Sequence, residues 1–208
     1  MTDHLPPDLL AMNRRAVIGC AELVRGTAAA DLDRPSPCAG WTLADLLGHL
    51  TVQHRGFAAA ARGHGGDPEV WRQRPVAEPP VAERLVAEHL AAVDAVLAAF
   101  ADPDVPGRAF LLPEFSPTIT FPAAQAIGFH TLDYLVHGWD VARARGVPYR
   151  PDTDLVARCV PMARAVPDGE RRTVPGAAFR PALPTPTPSS GLDLILRLLG
   201  RSPTWPDA

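Results

Sequence analysis

Lysine is absent from the 208 residues, so all 20 basic residues are arginine. That excludes a lysine Schiff base, a pyridoxal-phosphate anchor and a phosphate-loop lysine. Cysteine is scarce: Cys20, Cys38 and Cys159 are an odd number, widely spaced, with no CxxC pair. Neither a disulfide framework nor a thiolate zinc cluster is expected. No apolar run approaches the roughly 18 residues of a membrane span, and MTDHLPPDLL lacks a basic region followed by an apolar core. The net charge of −3 draws the chain to no polyanion, so neither nucleic acid nor an anionic membrane is an expected partner. The expectation is a soluble, cytoplasmic protein.

Apolar residues make up 47% of the chain, enough at this length for one domain spanning residues 1–208 with its own core. Proline is the excess, at 24 residues, against a usual share of about 5%. Helices are compatible with that number only if the prolines fall between them, and they do. Residues 9–30 read as a first helix with Leu10, Val17, Cys20, Ala21 and Val24 on one face. DLDRPSPCAG is a loop. Thr42 then caps a second helix that runs to about Gly63, with Asp45 in its first turn and Leu43, Leu46, Leu47, Leu50 and Phe57 on its apolar arc. Val86, Leu90, Val93, Leu97 and Phe100 form the seam of a third helix over 78–101. Four prolines keep 102–121 irregular, with room for a short strand in FSPTITF. A fourth helix runs from Pro122 to about Arg145 and stops at Gly146; a fifth, shorter one covers 152–165. PALPTPTP is an extended strap, and 190–200 a last amphipathic helix. The class is all-α: a four-helix bundle with a long proline-rich crossover, and with the strap and short helix of 180–208 packed on it.

The fourth helix carries the chemistry. It is apolar nearly all round, as buried helices are. Yet at 100° per residue His130, Asp133, His137 and Asp140 share one arc about 80° wide, bordered by Phe129 and Val136 on one side and Tyr134 and Val141 on the other. A polar stripe walled in this way needs partners, and its carboxylates need cations. Asp133 and His137 are one turn apart and can reach one point, which suits a divalent transition metal; a plain structural pair is the alternative. A third ligand must come from elsewhere, and the second helix offers His49 and His54. The wheel places His54 within the leucine arc and His49 at its edge, so periodicity does not choose His49. Asp140, one turn beyond His137, is positioned either to orient an imidazole or to pair with an arginine such as Arg143.

SPCAGWTLADLLGHL, QHRGFAAAARG, IGFHTLDYLVHGWDVARARG and LLGRSPTW together resemble the DinB-like metal-binding proteins. The branch is the one akin to the N-terminal domain of mycothiol-dependent maleylpyruvate isomerase. The resemblance implies a four-helix bundle with a long crossover. It also implies a metal held by one histidine of the second helix and an acid-x-x-x-His pair of the last long helix. Carried over by motif, these are His49, Asp133 and His137, with His130 or His54 as an extra or substitute ligand and Asp140 behind them. The isomerase branch usually has glutamate where Asp133 stands. Three protein ligands leave open positions, the catalytic pattern for zinc, with nickel or another divalent ion as alternatives. In mycothiol-dependent relatives the metal is taken to bind the thiol of mycothiol as a thiolate, which then adds to an electrophilic small molecule. On that reading none of this chain's own cysteines is the nucleophile, and Cys38 belongs to the packing of the CAGW signature.

Three functional readings follow. The first is a mycothiol-dependent transferase or isomerase with an electrophilic small-molecule substrate. The second is a thiol-independent hydrolase, lyase or cyclase of a biosynthetic pathway using the same metal, and the third a non-catalytic metal- or ligand-binding bundle. The lysine-free, proline-rich composition fits a high-GC genome such as those of the actinobacteria that make mycothiol. Relatives of this form often pair as homodimers, and the isomerase itself carries a further C-terminal domain.

Overall fold

Thr42 opens the second helix of the bundle with a reciprocal cap. Its hydroxyl accepts from the Asp45 amide at 3.2 Å, while the Asp45 carboxylate accepts from the Thr42 amide at 3.0 Å. Two of the helix's orphan donors are thereby satisfied. The computed structural model describes residues 6, 8–73, 81–174, 177–186 and 191–206. Its helices are α1 (Leu9–Arg25), α2 (Leu43–Ala61), α3 (Ala82–Phe100), α4 (Ala123–Arg145), α5 (Thr153–Ala165) and α6 (Gly191–Leu198). Between α3 and α4 a small antiparallel hairpin pairs β1 (Ala109–Leu111) with β2 (Thr120–Pro122), Phe110 lying opposite Phe121.

Helices α1 and α4 pack together, as do α2 and α3, and the two pairs close on each other through α1 with α3 and α2 with α4. This is the four-helix bundle expected, all-α but for the hairpin. Leu46, Leu47 and Leu50 of α2 meet Val17, Cys20 and Val24 of α1 and Leu135, Val136 and Val141 of α4 in the main core. A second cluster gathers Phe57, Phe100, Phe110, Leu112 and Ile127 beneath the hairpin. Ile195, Leu196 and Leu199 bring the C-terminal segment into the main core, against α5.

Four expectations need correction. The first helix stops at Arg25, not residue 30, because Arg145 reaches across from α4 and donates to the terminal carbonyls of Leu23 and Gly26. A single turn of 3-10 helix, Ala29–Asp31, follows. Leu10 is exposed, and Leu9 holds the buried position at the start of α1. On α3 the buried face is Ala82, Leu85, His89, Ala92, Val93, Val96, Ala99 and Phe100, while Val86, Leu90 and Leu97 are only half-buried. The seam is rotated because alanines allow close approach of α2 and a buried histidine occupies its centre. The stretch 102–121 is more ordered than expected, since its one foreseen strand has a partner in Ala109–Leu111. Residues 187–190, the end of the strap and the first residue of the expected last helix, lie outside the described residues, as do 78–80 of the expected third helix.

Candidate metal centre

Helix α4 stays helical through its polar stripe because apolar residues on every other side bury it: Tyr134, Leu135, Val136, Val141 and Ala142 are fully enclosed. His137, on this stripe, is 5% exposed and is held from both sides. Its Nε2 lies 3.3 Å from the Asp133 carboxylate, and its Nδ1 lies 2.9 Å from Asp140. Asp140 is fully buried and is gripped in turn by Arg201, whose Nε and Nη2 donate to it at 2.9 Å each. Cys38 completes this side, with its Sγ 3.5 Å from Asp140 and 3.8 Å from Arg201.

His49 comes in from α2. Its ring sits 4.9 Å from that of Trp41 and edge-on to His137 at 5.5 Å. Beyond it, Gln53 of α2 donates to Glu114 at 2.9 Å, bringing a carboxylate of the crossover to the exposed rim.

The electrostatics follow from this packing. Burial pulls His49 down to about 4, helped by the charge on His137, so its ring is neutral with a free lone pair. Burial also opposes charge on His137, but the Asp133 carboxylate and hydrogen bonds to both aspartates hold it well above its ordinary value. For Asp133, burial pushes upward and is outweighed by His137 and His49, which leave it below the usual carboxylate range. Asp140 falls to about 2: burial again opposes its charge and the Arg201 guanidinium overrides it. Burial, and then the charge of Asp133, hold Glu114 above its usual range. Cys20 and Cys159 are pushed up to about 12 by burial, so neither is a nucleophile near neutral pH.

Asp133 and His137 offer two donors that suit a divalent ion, and the His49 ring stands next to them, although its donor atoms are not gathered with theirs within 4.8 Å. Asp140 fixes the Nδ1 side of His137, which leaves Nε2 directed at Asp133, with neutral His49 beside it. A proton shared between His137 and Asp133 stands where a cation would replace it. Cys38, His137 and Asp140 are the group of potential ligands with donor atoms within 4.8 Å of one another among the described residues. That trio is a poorer cradle, because Asp140 is already neutralised by Arg201 and a cation there would sit beside a guanidinium.

His54 and His130 are brought together, but elsewhere. His54 Nδ1 lies 3.1 Å from His130 Nε2, and His130 Nδ1 lies 2.9 Å from the Asn13 amide nitrogen. Both ring nitrogens of His130 are thus taken by protein partners, one helical turn below the pair of Asp133 and His137. The partner of Asp140 is Arg201 rather than Arg143, which instead donates to the Pro203 carbonyl and lies over Trp139. Sequence reasoning missed Arg201, Glu114, Gln53 and His89. The one available signal was the arginine of LLGRSPTW, a charged residue directly after an apolar helix. Two open surface depressions of about 750 and 600 Å³ lie around Tyr149, and neither is lined by His49, Asp133 or His137.

Residues 14–142 match the mycothiol maleylpyruvate isomerase N-terminal domain family, and the chain belongs to that family. Uncharacterised proteins from two strains of Mycobacterium tuberculosis are 31% identical over 197 residues, covering 94% of this chain and 98% of theirs. Among solved structures, mycothiol-dependent maleylpyruvate isomerase superposes with a TM-score of 0.55 at 15% identity, covering 75% of this chain and 68% of the isomerase. A histidine-to-alanine mutant of that enzyme superposes equally well, at 14% identity. These likenesses define the fold as a DinB-like helical bundle. No helix among the described residues is long and apolar enough to cross a membrane.

Proposed function

We propose that this chain is a divalent-metal-dependent enzyme of thiol chemistry, with mycothiol as co-substrate and an electrophilic small molecule as substrate. His49, Asp133 and His137 hold the ion, which we take to be zinc. The observation that carries the reading is the fixed orientation of His137: with Nδ1 committed to Asp140, its Nε2 faces Asp133, and the His49 ring stands beside the pair. Family membership over residues 14–142 supports the thiol.

A divalent ion with three protein ligands supplies Lewis acidity and brings the pKa of a bound thiol towards neutrality. The protein's own groups do the rest. Asp133 contributes the negative charge that attracts the cation, while neutral His49 and His137 contribute lone pairs. Arg201 keeps Asp140 ionised, and Asp140 keeps His137 turned. Glu114 at the rim, held above its ordinary value, is placed to exchange a proton with a bound substrate. Trp41 walls the His49 side. We read residues 1–208 as one domain that acts in the cytoplasm, with no nucleic-acid or membrane partner, and as a homodimer.

Elemental analysis of the purified protein, beside His49→Ala, His137→Ala and Cys38→Ala, tests the site. One ion per chain is expected, lost in both histidine variants and kept in Cys38→Ala. Loss in Cys38→Ala with retention in His49→Ala moves the ion to the Cys38, His137 and Asp140 trio. Adding mycothiol to the cobalt-substituted protein tests the reaction class: a new thiolate-to-metal absorption supports it, and an unchanged spectrum leaves a thiol-independent hydrolase, lyase or cyclase.

A further inference from the structure

One turn below the candidate centre, each of the four bundle helices contributes a polar side chain to the interior. They are Asn13 of α1, His54 of α2, His89 of α3 and His130 of α4, none more than 1% exposed. Phe57, Phe100 and Tyr134 wall the group, with Tyr134 stacked on His54 at 3.9 Å. Two imidazole nitrogens here, His54 Nε2 and His89 Nε2, are buried without a partner among the described residues. An unpaired buried polar atom bears the full cost of losing water, so two on neighbouring rings call for an explanation.

The hydrogens can be followed from both ends. Thr131 has one hydroxyl hydrogen, and the Ile127 carbonyl takes it at 2.7 Å. Thr131 must therefore accept from Asn13, which fixes the Asn13 group facing it, at 3.1 Å, as the amide NH2. The second hydrogen of that NH2 goes to His130 Nδ1 at 2.9 Å, so His130 carries its proton on Nε2 and donates it to His54 Nδ1 at 3.1 Å. His54, receiving on Nδ1, carries its own proton on Nε2. From the other end, Thr51 gives its hydrogen to the Leu47 carbonyl at 2.7 Å and accepts from His89 Nδ1 at 3.5 Å. His89 Nε2 is then a bare lone pair. The two unpartnered atoms are complementary, one a donor and the other an acceptor, on rings whose centroids are 5.1 Å apart.

We infer that His54 Nε2 and His89 Nε2 form a buried site for one hydroxylic molecule, a single water, that accepts from His54 and donates to His89. With it, one unbroken run of hydrogen bonds crosses the bundle from Asn13 through His130, His54 and His89 to Thr51. The direction of the run disfavours a metal ion, because His54 presents a proton and not a lone pair. No carboxylate or thiolate joins these histidines in a group of three close ligands among the described residues. The inference is independent of the function proposed for the neighbouring centre.

The test uses the full-length protein labelled with nitrogen-15. Long-range proton–nitrogen correlation reads each ring's tautomer directly: Nε2–H is expected for His130 and His54, and Nδ1–H for His89. A His54 ring protonated on Nδ1, or a His89 ring protonated on Nε2, would overturn the inference. Oxygen-17 relaxation dispersion should detect one long-lived internal water that His89→Leu removes. An unchanged count in a folded His89→Leu protein sinks the proposal, as does a direct contact between the two rings in a high-resolution crystal. Zinc or copper(I) added to His137→Ala protein should leave the His54 and His89 signals in place. A stoichiometric shift of both would instead make this a metal site.

Discussion

Arg201 and Asp140, 61 residues apart, are joined by a bidentate ion pair buried against the candidate centre, with the guanidinium at 2.9 and 3.0 Å from the carboxylate oxygens. The pair connects the C-terminal segment to the residue that orients His137. Removing Arg201 strands a buried carboxylate. Arg201→Met is therefore expected to lower stability by about 3–5 kcal/mol, seen as an earlier urea midpoint. Arg201→Met with Asp140→Asn should recover part of that loss, since no uncompensated charge remains. In both proteins metal affinity should fall about 10–100-fold, read by competition with a chelating dye.

Loading of the centre should release protons. Metal-free His137 is held above its ordinary value by Asp133, so it is protonated at neutral pH and must lose that proton to become a ligand. Affinity rises with pH through the neutral range as a result. Calorimetric titration in two buffers of different ionisation enthalpy should give about one proton released per ion. A buffer-independent enthalpy would show that His137 is not a ligand.

Acid should destabilise the fold before its carboxylates titrate. His89 is held at about 4 and His130 at about 3 by burial, against 6.5 in the unfolded chain. Both are neutral when folded, so the unfolded state alone takes up protons as pH drops below 6.5. Their stabilisation is complete above that value and is lost progressively towards the folded values, at about 1.4 kcal/mol per pH unit for each ring. His137 works in the opposite sense. Replacing His89 by glutamine should flatten the dependence between pH 6 and 4.5 by about one ring's share, measured by urea unfolding at each pH.

Gly138, between His137 and Trp139, faces Tyr149 rather than open space. A Cβ there would lie 2.8 Å from the Tyr149 hydroxyl, which donates to the Leu135 carbonyl. Gly138→Ala should cost about 1–3 kcal/mol through overpacking. It should also turn α4 enough to weaken metal binding. Tyr149→Leu combined with Gly138→Ala, which removes the ring carbons at 3.0 Å as well as the hydroxyl, should cost less than the two single losses summed, with thermal melts as the measurement.

Helix number and order were legible because proline and glycine mark nearly every boundary, and the walled stripe on α4 was legible because apolar neighbours flank it on both sides. The separation of His130 from the pair of Asp133 and His137 was not. All three share one arc, and only the third dimension shows that His54 and Asn13 claim His130. Arg201 and Glu114 escaped for a related reason: each reaches the site from an irregular segment, where periodicity carries no signal. The buried face of α3 was misplaced because large residues dominate a hydrophobic wheel, whereas close helix contact is made by small ones. His49 sits at the edge of its arc, half-buried, which is where a residue serving a site between helices belongs.

The tail clamp also orders events in time. Translation runs from α1 onward, so the four bundle helices leave the ribosome before Arg201 does. During that interval Asp140 faces the nascent core without its cation, so its hold on His137 lacks the guanidinium that keeps it charged. The bundle can collapse early on its local contacts, but its polar centre matures only when the last helix docks. Competence and compactness are therefore separate milestones for this chain, reached at different lengths of the growing polypeptide.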